Sequence, residues 1–73
     1  QNMDEKSARE YLLKNDAKFQ ELASKHQEYE DKLAQFAEKR VLTSDEQVAE
    51  ITMKKEKLAA KDSMHEMIMK LCK

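Results

Sequence analysis

Glycine, proline and tryptophan are absent from this 73-residue sequence. Tight turns between strands rely on the first two, so their absence argues against a β-rich fold. It also removes any glycine-rich loop that could cradle a phosphate. The single cysteine, Cys72, excludes an internal disulfide and is compatible with a reducing compartment. A surplus of one charge is missing too. The net charge is −1, with eight basic and nine acidic groups in residues 1–44 and six of each in residues 45–73. Nucleic-acid binding rests on a basic surface that displaces counterions, so no nucleic-acid partner is expected from the overall charge. No apolar run approaches the roughly 20 residues needed to span a bilayer, so no membrane insertion is expected. No signal-peptide pattern is visible. Because the chain opens on Gln1, the expectation leaves room for a segment removed ahead of it.

What remains is a chain 40% charged and 40% hydrophobic, rich in alanine, glutamate, lysine and leucine. That composition points to long helices or a coiled coil, and regular apolar spacing with balanced charge argues against disorder. The length suits one small domain with a modest core. Three helices are predicted, over about residues 4–14, 17–40 and 45–72. In the first, Met3, Ala8, Tyr11 and Leu12 share a face. Asp16 is a candidate N-cap for the second. Along that helix Phe19, Leu22, His26, Tyr29, Leu33 and Phe36 recur in steps of three and four, a heptad stripe that needs a partner helix. Two overlapping capping boxes, Thr43 with Glu46 and Ser44 with Gln47, start the third. So short a connection between long helices predicts an antiparallel pair.

The third helix is harder to orient. One side carries Val48, Ile51, Leu58, His65, Met69 and Cys72; another carries Met53, Ala60, Met64, Met67 and Leu71, with Ile68 between them. The arc is wider than a two-helix contact requires. The expected hairpin seam joins Phe19, Leu22, His26, Tyr29, Leu33 and Phe36 to Val48, Ile51, Leu58 and His65. Met53, Met64, Met67, Ile68 and Leu71 are then left as a possible partner surface, since methionine adapts to varied contacts. Lys54, Lys57 and Lys61 fall inside the apolar arc. Their stems can cover apolar surface while the ammonium reaches water. With the turn near residue 42 or 43, Lys54 lies opposite Glu30 and Lys57 near Glu28, so Lys54–Glu30 is the expected register ion pair.

No catalytic constellation is expected. His65 and Cys72 are seven residues apart, and the hairpin places His26 opposite residue 59 rather than His65, so no metal site is expected. Cys72, one residue from the chain end, lacks a nearby base and a rigid oxyanion site.

The string MKKEKLAAKD at 53–62, followed by Met64, resembles the signature of the YdcH-like family of small bacterial proteins built on a domain of unknown function. Met53, Lys54, Lys55, Lys57, Leu58, Lys61, Asp62 and Met64 carry the likeness. So does LKNDAKFQELASKHQEYEDKL at 13–33, with its Lys25-His26 pair. The chain departs from the pattern at Ala17, where proline is usual, at Ala60, and at Ser63. The resemblance implies a helical hairpin, often self-associating, in the bacterial cytoplasm, with no assigned activity and no catalytic residues to carry over.

The expectation is therefore an all-α, coiled-coil-like antiparallel helical hairpin with a short preceding helix, forming one domain. Its expected role is a non-enzymatic structural or protein-interaction module without cofactors. Its partners would be copies of itself, as a dimer or higher oligomer, or an unidentified protein complex. The competing expectation is a small nucleic-acid-associated regulator that uses the basic stretch 54–61.

Overall fold

The computed structural model describes residues 3–72. All its regular structure is helical: α1 (Glu5–Asn15), α2 (Ala17–Ala37) and α3 (Ser44–Cys72). The three pack into a rod of 50 × 18 × 17 Å, close to the roughly 43 Å that the 29 residues of α3 would span. α2 and α3 pack extensively, and α1 lies against both at one end.

The helix boundaries follow from side-chain chemistry. Asp4 caps α1 by accepting from the Ser7 amide at 2.7 Å. Asp16 serves two helices at once. Its amide closes α1 on the Leu12 carbonyl, and its carboxylate accepts from the Phe19 amide at 2.9 Å to open α2. One extended residue, at φ −121° and ψ 113°, is thus the whole joint between α1 and α2. The carbonyls left over at the end of α1 are met by side chains, with Asn15 donating to Tyr11 and Gln20 donating to Leu13.

Helix α2 stops at Ala37, three residues short of the expected 40. A helix commonly ends on a left-handed glycine. This chain has none, and no described residue takes a positive φ. Instead the Glu38 amide donates to Gln35 and the Lys39 amide to Phe36, tightening the last turn into i→i−3 bonds. Of the two possible capping boxes, Thr43 with Glu46 forms reciprocally. Glu46 N donates to Thr43 Oγ1 at 3.1 Å, and Thr43 N donates to Glu46 Oε1 at 2.9 Å. Gln47 reaches back to the Leu42 carbonyl rather than to Ser44. Lys39 Nζ also meets Glu46 Oε2 across the connection.

These contacts make stability acid-sensitive. Glu46 is held below its ordinary 4.5, chiefly by the hydrogen bond from Lys39 and then by the Thr43 amide. Asp4 is held below 3.8 by its hydrogen bonds with Ser7, the backbone one first. A carboxylate with a lowered native pKa adds stability above its unfolded value, and that stability is lost as pH falls through the native one. The melting temperature should therefore hold above pH 4.5 and drop below it, with a shallower drop in Glu46→Gln. An identical acid profile in the variant would remove the capping box from the account.

The core sits where the three helices meet. Ala8 and Leu12 of α1, Phe19 of α2, and Met64 and Ile68 of α3 form one buried cluster. Leu22, Ala23, Met67, Met69, Leu71 and Cys72 flank it. Beyond this end only two helices run together, and Tyr29, Leu33 and Phe36 are half-buried.

The phase of α3 differs from the sequence expectation. Met64 and Ile68, read as a possible partner surface, are buried within the chain, and Met53, Met67 and Leu71 are half-buried. Val48, Ile51 and Leu58, read as seam, are 64%, 56% and 57% exposed, and His65 is exposed as well. The two faces have exchanged places. A helix is rigid in rotation, so the face chosen at one end is inherited along its length. Three-helix burial fixes Met64 and Ile68 inward, and stepping back by heptads brings Ala60, Lys57, Met53 and Glu50 inward too.

Candidate functional site

The rotation of α3 settles where the lysines go. Lys57 turns toward α2, and its Nζ lies 3.9 Å from Glu30 Oε1, with the side chains 33% and 46% exposed. Lys54, expected against Glu30, instead lies 4.0 Å from Glu50 on its own helix. The expected partner acid is therefore present, but it meets the lysine three residues later, because that residue occupies the inward heptad position. Glu30 also takes His26 Nδ1 at 3.7 Å. At this exposure such contacts add at most about 1 kcal/mol, so their main effect is to keep an inward-facing ammonium from lying against apolar neighbours alone.

The outward face of α3 is then an apolar stripe left exposed by the described residues. Val48, Ile51 and Leu58 lie on it, with Lys55, Asp62 and His65 at the intervening heptad positions. Its steps of three, four, three, four and three match what a neighbouring helix would present. Large exposed apolar side chains gathered on one face mark an interaction surface more often than scattered ones do.

Beside this stripe lie two clefts. One, of about 380 Å³, is lined by Arg9 of α1, His26 of α2, and Lys61, Asp62, Met64 and His65 of α3. The other, of about 440 Å³, is lined by Leu33, Lys54, Lys57, Leu58 and Lys61. Lys61 belongs to both. Sequence reasoning placed His26 opposite residue 59 and kept it apart from His65, whereas the structure gathers both histidines with Arg9 around one opening. The missing element was α1, which the joint at Asp16 folds back against α3. Its sequence signal was the N-cap at Asp16, which sets the joint but not its angle.

Phe19 of the expected α2 stripe is buried, while Leu22, His26, Tyr29, Leu33 and Phe36 are half-buried. Cys72 is a free, half-buried thiol packed beside the core. Among the described residues no group of three or more His, Cys, Asp or Glu side chains is placed to hold a metal ion, and no helix is long and apolar enough to cross a membrane.

Residues 19–68, more than half of the chain, match the model of a family described as Protein of unknown function (DUF465). No match was found among curated proteins or among solved structures.

Proposed function

We infer, for a chain that belongs to the DUF465 family of proteins of unknown function, a non-enzymatic protein-interaction module that pairs with a second copy of itself through the outward face of α3. The observation that carries this reading is the joint exposure of Val48, Ile51 and Leu58 on one heptad-spaced face. The charges on that face support a second copy as the occupant. Lys55 and Asp62 flank Leu58 with opposite signs. Parallel pairing would set Lys55 on Lys55 and Asp62 on Asp62. Antiparallel pairing, with Leu58 near the two-fold axis, sets each lysine toward the aspartate of the other copy and brings the two Leu58 side chains together, with each Ile51 beside the His65 of the other copy.

Within the chain, α2 and α3 form an antiparallel coiled-coil hairpin. The contacts that support it run from Lys39 with Glu46 beside the connection, through Glu30 with Lys57, to the shared cluster of Phe19, Met64 and Ile68. The 53–64 pattern lies inside the matched residues 19–68, which supports identifying the family with the YdcH-like proteins. The bacterial cytoplasmic setting comes with that identification.

The nucleic-acid reading gains less support. Of Lys54, Lys55, Lys57 and Lys61, Lys54 and Lys57 each lie within 4.0 Å of a carboxylate.

Sedimentation equilibrium should give twice the chain mass of 8.6 kDa. Leu58→Glu should return the mass to that of one chain while leaving the helical circular dichroism unchanged, because Leu58 is exposed within the chain. A wild-type protein that stays monomeric at millimolar concentration would sink the reading.

A further inference from the structure

We propose that the cleft between Arg9, His26, Lys61 and His65 is a binding site for a small organic phosphate. The site draws on all three helices: Arg9 from α1, His26 from α2, and Lys61 and His65 from α3. Convergence of basic groups from separate elements differs from a charged face along one helix, because it surrounds a point instead of lining a surface.

The pairing of charges singles out this cleft from its neighbour. In the adjoining cleft Lys57 is engaged by Glu30, and Lys54 by Glu50. Arg9 and Lys61 have no carboxylate within 4.0 Å among the described residues. Asp62, also on the wall, offsets one of these two cations, so the cleft keeps a positive balance before either histidine is counted. Glu30 faces His26 from within α2 and restrains that ring.

The donors suit a tetrahedral oxyanion. The guanidinium offers paired N–H groups that match two phosphate oxygens, and the ammonium adds a point charge. A neutral imidazole still has one N–H to donate. The volume of about 380 Å³ falls within the range of small-molecule sites and exceeds what a bare ion needs. Met64 supplies an apolar wall for the organic part of the ligand. The four basic residues come together within one chain, while Asp62 and His65 also lie on the outward face of α3, so the site is read on the monomer.

The test is a titration of the full chain, followed by amide and imidazole NMR shifts at low ionic strength. The probes are phenyl phosphate and inorganic sulfate. Phenyl phosphate should give saturable shifts centred on the four basic residues, and sulfate weaker shifts at the same place. Arg9→Gln and Lys61→Gln should each weaken phenyl phosphate about tenfold, the loss expected for one charge-assisted contact. Lys32→Gln, an exposed lysine elsewhere on α2, should leave binding unchanged. Matching helical melting curves would establish that the variants fold. The same titration at chain concentrations where sedimentation gives a single-chain mass should still saturate, which separates this site from self-association. Non-saturating shifts spread over all lysines would overturn the proposal, as would equal affinities for Arg9→Gln, Lys61→Gln and Lys32→Gln.

Discussion

Phe19→Ala should leave the chain largely unfolded at room temperature. Phe19 has no exposed surface, and it sits in the cluster that holds α1, α2 and α3 together. Truncating a buried phenylalanine costs about 3–5 kcal/mol, from lost apolar transfer and the cavity left behind. A domain of this size has only about 3–5 kcal/mol of stability from its core. The loss therefore matches the whole margin. The cap adds to the effect, because the amide of Phe19 is the one that Asp16 accepts, so the side chain anchors the same turn that joins α1 to α2. Loss of most helical ellipticity in Phe19→Ala is the expected result. A variant that melts cooperatively within a few degrees of the wild type would show that the three-helix end is not the main source of stability.

The second large effect is a contrast along α3. Ile68→Ala should cost about 2–5 kcal/mol, since Ile68 is 2% exposed. Leu58→Ala should cost less than about 1 kcal/mol, since Leu58 is 57% exposed. Both are single truncations of aliphatic side chains on one helix, so propensity differs little between them and burial decides. The comparison belongs at concentrations where the chain is monomeric. Chemical denaturation that ranked Leu58→Ala as the more damaging would return α3 to the orientation expected from sequence.

That contrast also marks where the sequence was legible. The ends of the helices were written in discrete chemistry. Asp16 could be read as a cap, and Thr43 with Glu46 as a capping box, because each rests on side chains three residues from an orphan amide. The stripe of α2 was legible because Phe19 to Phe36 offers a single line of large apolar residues. Helix α3 offered two. Val48, Ile51 and Leu58 looked the stronger on hydrophobicity, and methionines looked like adaptable surface. What decides between them is the placement of α1, a tertiary contact that periodicity within α3 does not encode. The error in the ion pair follows from the same cause: once α3 turns, Lys57 takes the position expected of Lys54. The basic cleft was missed for a related reason, since Arg9 reaches it only after α1 folds back.

One consequence of the lopsided core concerns motion. Burial is concentrated where α1 covers α2 and α3, while the far end of the rod has two helices and half-buried side chains. Local opening follows the density of buried contacts. The amides around the connection at residues 38–43 are thus set to exchange with solvent through small, frequent openings. Those near Phe19 and Ile68 exchange only when the whole chain opens. The molecule is kinetically polar, breathing at its turn and clamped where its three helices meet.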